Sequence, residues 1–495
     1  MNKKLLSVVL VVLLGGGIFT GCSDKSEEIP PQVVTDEIYY ANIFGKDVMG
    51  LFYYWCDEIG TDLENWDAKT TEDPIAMVDK IRYHEGDKYI DKWSMLTDDM
   101  DSFTSSVEGV STTYGWNLTV YLLEEGGTQC IGVVNFVHAD TPAAEAGVKR
   151  GDIIIGLNGG NLTTENYQDL YYSSNLKVSL GRLDVPTNTI VSQNKTLELA
   201  ARTCYEDPVL CDSVYEFGGK KVGYLAYSSF DLKSIDKLVE ISRKFKAAGI
   251  EELVLDLRYN GGGYVITENV LASMFAPQEA VEQHKVFEKE DYNDYITEMY
   301  REQGISLSTR FTTEYNYPDA GVNVSTKDAN IGLKKIYGLI GSGSASASEA
   351  LLGGLMPYME VQLIGSQSRG KYCTGWMLGA EDAYGEECPK AIKNWGIYVM
   401  VSIYQNADDE TPCMPDGLIP DVKVVDDAML PYQLGDVNEP LLREALTEAG
   451  RTYDVAAAAQ TRSLIPQYKQ MPGVQKPVFG RRILLPPSGG LMGLR

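Results

Sequence analysis

The apolar run Lys335-Ile-Tyr-Gly-Leu-Ile340 breaks into Gly341-Ser-Gly-Ser-Ala-Ser-Ala-Ser-Glu349 and resumes as Ala350-Leu-Leu-Gly-Gly-Leu-Met356. This pattern predicts a strand, a tight small-residue turn and a helix, which commits the region to an α/β layer. A serine in that turn sits at a helix N-terminus. The first N–H groups of a helix have no partner within it and the dipole is positive there, so an oxyanion formed at the turn is stabilised. A serine-rich helix cap is the competing structural explanation.

The preceding segment alternates strand and helix. Lys221 to Tyr227 reads as a strand; Ser234 to Ala248 reads as a helix with Leu238, Ile241 and Phe245 on one face and Gly249 as its stop; Glu252 to Leu257 reads as the next strand. Such alternation predicts a largely parallel sheet, whose ligands bind beyond the carboxyl ends of the strands. At that edge lies Asp256-Leu-Arg-Tyr-Asn-Gly-Gly-Gly263, then a helix from Val265 to Phe275. Consecutive glycines free the backbone to aim N–H groups at a carbonyl oxygen. A phosphate cradle would need a Gly-Lys-Ser/Thr that does not follow. Asp256 and Arg258 are placed to brace the loop by pairing. Beyond the serine turn, Val361 to Ser366 forms another strand, and Lys371 lies 25 residues after Ser346. One helix and one parallel strand take up about that length, so both side chains emerge at the same sheet edge.

At 495 residues the chain exceeds one ordinary core, and its formal net charge of −27 argues against nucleic acid or an anionic membrane surface as the main partner. With only His84, His138 and His284 and no C-x-x-C motif, a zinc or multi-histidine site is not expected, and no cofactor is implied. After Asp454 the sign reverses, with Arg462, Lys469, Lys476, Arg481, Arg482 and Arg495 and no carboxylate side chains. This basic tail is expected to dock on the acidic body or stay loose. At the other end, Lys3-Lys4, the apolar run Leu5 to Leu14 and Gly15 to Cys22 read as an export signal too short to span a bilayer. Export permits disulfides, with Cys204–Cys211 and Cys373–Cys388 as the nearest candidate pairs.

Three resemblances follow from these and neighbouring motifs. The Ser-Ala-Ser-Ala-Ser-Glu run with Lys371 downstream, together with Asp256–Gly263 and Pro415-Asp-Gly-Leu-Ile-Pro-Asp-Val422, resembles the tail-specific, or carboxyl-terminal processing, proteases of the S41 class. The resemblance implies an α/β core of the crotonase/ClpP-like kind, Ser346 as nucleophile and Lys371 as its base. It makes the Ala347 N–H one oxyanion donor and that of Gly262 or Gly263 the second. Thr141-Pro-Ala-Ala-Glu-Ala-Gly-Val-Lys-Arg-Gly-Asp-Ile-Ile-Ile-Gly-Leu-Asn-Gly159 resembles a PDZ domain, whose peptide-binding loop would be Tyr114, Gly115, Trp116, Asn117 and Leu118. The leader resembles a bacterial lipoprotein signal with Cys22 as the lipidated residue, departing from the usual pattern at Phe19. A multidomain α/β chain follows: signal 1–21, tether 22–35, helical N-terminal domain 36–104, PDZ domain 105–200, peptidase core 201–435 with an insertion at 277–330, and C-terminal helix and tail 436–495.

The implied activity is that of a serine endopeptidase of the cell envelope, lipid-anchored on the periplasmic or outer face, cutting extended or unfolded chains whose free C-termini the PDZ selects or gates. The 277–330 insertion is of a length suited to a lid, an arm or an oligomer contact. Two departures from the family stand out. Pro357-Tyr358 replaces a helper Asp, and Gly375 stands where other members have a Gln four residues after the lysine, leaving Thr374 or Ser348 to orient Lys371. Two other classes remain open: a noncatalytic peptide-binding lipoprotein and an acyl-transfer enzyme acting on a nonpeptide ester. His138 is expected to be structural, and a triad through His284 has no spacing to support it.

Overall fold

A computed structural model describes residues 33–453, 465, 468–473 and 480–487. The leader, Cys22 and the first part of the tether lie outside the described residues.

Two sheets form the centre of the molecule. The first has six strands in the order Val209–Phe217, Lys220–Tyr227, Glu252–Asp256, Lys335–Ile340, Glu360–Gly365 and Val422–Lys423. Its first pair is an antiparallel hairpin and every later pair is parallel. Leu253, Val254 and Leu255 are all fully buried, because helices cover one face and the helix Pro440–Glu448 the other. The helix Ile235–Ala248 ends at Gly249 with φ 72°, a left-handed cap that glycine adopts without strain. The helix Val265–Phe275 is buried on every side, so no amphipathic stripe marks it.

The second sheet runs Gly262–Tyr264, Arg481–Leu484, Cys373–Gly379, Gly396–Asn406, Val286–Tyr292 and Ser308–Arg310, with Met95–Thr97 also pairing Gly396–Asn406. Two segments are more deeply integrated than their composition suggests. Val286–Tyr292, inside the expected insertion, is an internal strand. The basic tail docks, and Arg481–Leu484 wedges between the glycine loop and the strand after Lys371, parallel to both.

The N-terminal helices Asp36–Leu51 and Pro74–Ile81 share one core with this second sheet: Phe44, Phe52 and Trp66 cluster with Trp376, Tyr398 and Ile483. The PDZ sheet has the order Thr189–Ala200, Asn175–Asp184, Ile153–Leu157, Cys130–Val137 and Trp116–Leu122, and ends on Lys469–Gln470. Arg150 ties this domain to the core, donating to Asp426 at 2.8 Å and to the Tyr259 hydroxyl at 2.6 Å. The cysteines at 56, 130, 204, 211, 373, 388 and 413 are all free thiols, so neither candidate disulfide forms.

Candidate active site

Ser346 stands between the strand Lys335–Ile340 and the helix Ala347–Leu355, as the N-cap residue with φ 65° and ψ −118°. Positive φ is costly for a residue with a Cβ and is kept only where the surroundings impose it. They do so through the turn: the Ser344 hydroxyl donates to the Leu257 carbonyl at 2.7 Å, the Ser348 hydroxyl to the Asn260 carbonyl at 2.9 Å, and the Ala345 N–H to that same carbonyl at 3.1 Å. Ser346 is fully buried, and its Oγ has no hydrogen-bond partner among the described residues. An unpaired buried hydroxyl is unfavourable unless another role retains it. The Ala347 N–H, the first of the helix, likewise meets no acceptor among the described residues.

Lys371 is fully buried too. Its Nζ donates to the Tyr398 hydroxyl at 3.0 Å and lies 5.5 Å from the centre of the Trp93 ring and 5.4 Å from that of Tyr398. Burial is the main force pushing its pKa down, to about 7; the Arg481 and Arg482 cations add to the effect, while Cys373 and Asp91 oppose it. The amine is therefore largely neutral just above neutral pH.

Glu349 connects the two. One carboxylate oxygen accepts from the Ser346 N–H at 2.8 Å and the Lys371 N–H at 2.9 Å; the other accepts from the Gly370 N–H at 2.6 Å and the Ser368 hydroxyl. A single buried carboxylate thus holds the serine turn and the lysine turn in register. Burial raises its pKa while these four donors work against the rise. Glu349 was visible in the serine motif, but only the fold brings the lysine loop to it.

The glycine loop differs from expectation in a specific way. The Gly262 N–H donates to Asn260 Oδ1 at 2.9 Å and so is not free as an oxyanion donor in this state. The Gly262 carbonyl and the Tyr264 N–H both pair with Phe230, which turns the Gly263 N–H to the opposite side, onto the tail strand, where Gly263 faces Arg482. Gly262 is nevertheless required: a Cβ there would lie 2.8 Å from Ser346 Cβ and 2.5 Å from the Arg481 carbonyl oxygen. Arg258 pairs with Asp256 at 2.8 Å and with Glu439 at 2.6 Å, bracing the loop.

Neither hydroxyl considered for orienting Lys371 does so. Ser348 is committed to Asn260 and Thr374 to Glu290, at 3.1 Å. Tyr398 takes the position instead. Its hydroxyl donates to the Arg482 carbonyl at 2.9 Å and accepts from the Arg482 N–H at 3.1 Å as well as from Lys371. A Cβ at Gly375 would lie 2.6 Å from the Tyr398 ring, so the small residue that departs from the family pattern makes room for this tyrosine. Nothing in the apolar run around Tyr398 marks it, because strand alternation alone does not say which face meets the lysine. His284 donates through Nδ1 to the Phe311 carbonyl, and the His138 ring bonds the Asp207 carbonyl; neither bonds Ser346.

A cleft of about 1780 Å³ separates the PDZ domain from the core. Gly261, Gly262, Ser342 and Gly343 line its core side, with Ser346 buried beneath Gly262; Tyr114, Trp116, Asn117 and Leu118 line the PDZ side. Gly115 has φ 80°, and a Cβ there would come within 2.2 Å of Thr141, so only glycine fits this turn. Trp116 reaches across to the short helix Asp169–Tyr172, its Nε1 donating to the Leu170 carbonyl at 3.3 Å.

Residues 221–424 match the model of peptidase family S41 and residues 133–179 that of the PDZ domain. The carboxy-terminal processing protease CtpB of Bacillus subtilis is 27% identical over 290 residues, 55% of this chain and 48% of that protein. The carboxyl-terminal-processing protease of Synechocystis is 23% identical over 237 residues, 47% of this chain and 48% of the relative. These alignments span about half the length of the curated relatives. Among solved structures, a putative S41 protease from Bacteroides fragilis superposes with a TM-score of 0.65 at 25% identity, over 83% of this chain and 98% of that one.

Proposed function

We propose that this chain, which carries an S41 peptidase domain behind a PDZ domain, is a serine endopeptidase that cuts extended polypeptides through Ser346 and Lys371. The observation that carries the reading is the pairing by Glu349 of an unpartnered buried serine with a buried lysine whose pKa falls to about 7. A hydroxyl becomes a competent nucleophile when a neighbouring base takes its proton, and a lysine serves only when neutral.

In the proposed cycle, Ser346 Oγ attacks the scissile carbonyl carbon as its proton passes to Lys371 Nζ. The carbonyl oxygen becomes an oxyanion facing the Ala347 N–H. Collapse breaks the C–N bond, Lys371 returns the proton to the leaving amine, and an acyl-enzyme remains. A water molecule then gives a proton to Lys371 and attacks the acyl carbon, and as the carbon–Oγ bond breaks Lys371 returns that proton to Ser346 Oγ, releasing the acid product.

Tyr398 is the positioning group in this scheme. A hydroxyl has one proton and two acceptor sites. The proton and one acceptor site are spent on Arg482, so Lys371 must donate an N–H to the other, which leaves the amine lone pair for the serine. The absence of a direct Lys371–Ser346 hydrogen bond favours one second reading, a noncatalytic peptide binder on the same scaffold.

Cleavage of an unfolded protein with a free apolar C-terminus at pH 8, by the parent and by Ser346→Ala, separates the two. Loss of cleavage in the variant alone supports the peptidase. Binding without cleavage by either supports the binder. Ester turnover without peptide cleavage would instead support an acyl-transfer enzyme.

In this reading the substrates are polypeptides whose C-termini engage the PDZ domain, and the chain acts in the bacterial cell envelope, held by lipid on Cys22. Among the described residues no helix is long and apolar enough to cross a membrane. Mass spectrometry of the mature N-terminus tests the lipid anchor: a diacylated Cys22 is expected, and an unmodified N-terminus at any other residue would exclude it.

A further inference from the structure

The free edge of the PDZ strand Trp116–Leu122 is already occupied by the chain's own tail. Lys469 and Gln470 pair with it antiparallel, opposite Leu122 and Tyr121, and the Met471 N–H donates to the Val120 carbonyl at 2.9 Å. Met471 packs against the PDZ core, the Tyr167 hydroxyl donates to the Pro472 carbonyl at 3.3 Å, and the Tyr468 ring meets Tyr121. The direction matters. The segment runs from the Leu122 end toward Trp116, and therefore toward the Tyr114–Gly115–Trp116 turn, as a peptide adding a strand and presenting its C-terminus to that turn would run.

This seam is shallow. Lys469, Gln470 and Pro472 are exposed and Met471 only half-buried, while the PDZ sheet has a full core of its own. Thirteen residues past Lys469, Arg482 is fully buried. The tail is thus fastened deeply at Arg482 and only lightly at Met471. Tethering keeps such a segment at an effective concentration on the order of millimolar, enough to outcompete weak ligands while yielding to better ones.

We propose that Tyr468–Pro472 is a built-in ligand of the PDZ edge, and that an extended substrate segment takes the edge only by displacing it. The consequence for turnover rests on the peptidase reading; the competition itself does not.

The test uses the full chain with Ser346→Ala and a fluorescein-labelled peptide copying residues 465–473, followed by fluorescence anisotropy. Three forms are compared: the parent, Met471→Asp, and Tyr121→Cys with Gln470→Cys, which replaces a directly opposed pair and can lock the tail by a disulfide. The peptide is expected to bind Met471→Asp about tenfold more tightly than the parent. It is expected not to bind the locked form until reductant is added. Equal affinity for all three, or no affinity for the edge vacated in Met471→Asp, would overturn the proposal. Because the lock is reversible in one sample, misfolding cannot imitate the expected result. With Ser346 restored, cleavage that is absent from every form while the binding pattern holds would sink the peptidase reading alone. Cleavage that proceeds equally in locked and reduced forms would sink the tail's role in turnover.

Discussion

Two buried cations, Arg482 in the second sheet and Lys371 just before one of its strands, meet opposite fates. Arg482 donates to Glu268, Glu288 and Glu290 and to the Thr374 hydroxyl, and these carboxylates hold it charged against the cost of burial. Lys371, equally buried, has no carboxylate on its amine among the described residues, where it meets the Tyr398 hydroxyl and two aromatic faces, and it loses its proton near pH 7. Burial alone neutralises a cation; burial with ionic partners turns it into a structural pin. The two are coupled, because the Arg482 backbone fixes the hydroxyl that holds Lys371, and the Arg481 and Arg482 charges help depress its pKa.

The widest separation between the two cations should come from replacing each with methionine. Lys371→Met is expected to lower kcat/KM by about 10³-fold or more yet raise stability at neutral pH. Lys371 has a folded pKa of about 7, below its unfolded value of about 10.4. The unfolded chain therefore binds more protons between these values, and the parent gains stability as pH rises through that window. The variant's excess in Tm should be full at pH 6 to 7 and vanish by about pH 10.5, where the unfolded lysine has also lost its proton; thermal unfolding across that range checks the sign. Arg482→Met should do the reverse, costing about 3–5 kcal/mol by urea denaturation because it strands buried carboxylates. A stable variant would show that the ion cluster is dispensable.

Glu349→Gln leaves the geometry but replaces an acceptor-only group with one that must also point N–H at donors. A loss of about 2–3 kcal/mol in stability is expected, with kcat falling more than KM changes. Tyr398→Phe should lower kcat about tenfold at unchanged KM and move the acidic limb of the pH profile to lower pH, since the hydroxyl favours the protonated amine. Arg481→Gln should give the smallest effect, moving that limb to higher pH by less than about one unit, because one of the cations that depress Lys371 is gone. A limb that stays put in both variants would detach these neighbours from the lysine.

The serine turn, the glycine loop, the parallel strands and the PDZ run were legible because each is a local pattern: a turn needs small residues, a buried parallel strand needs continuous apolar ones. The spacing from Ser346 to Lys371 also carried information, since helix and strand lengths are narrowly bounded. Gly262 misled, because a glycine run reports backbone freedom but not which N–H groups stay free, and Asn260 takes this one. Trp93 and Tyr398 could not be found, because their positions beside Lys371 depend on how the N-terminal segment and a long strand pack against it. The tail carried only a charge signal, which left a docked and a loose tail both open.

The sequence by itself marked the strands and helices that flank the serine turn and the glycine loop, which follow from periodicity and spacing along the chain, and its resemblances implied the order of the domains and the roles of Ser346 and Lys371. Only the tertiary structure decided the protonation of Lys371, the partners of Glu349 and the occupation of the PDZ edge by residues 469–470. Each of these brings together groups distant in sequence, from the 22 positions between Glu349 and Lys371 to the more than 340 between Leu122 and Lys469, and burial, charge compensation and strand pairing act through space.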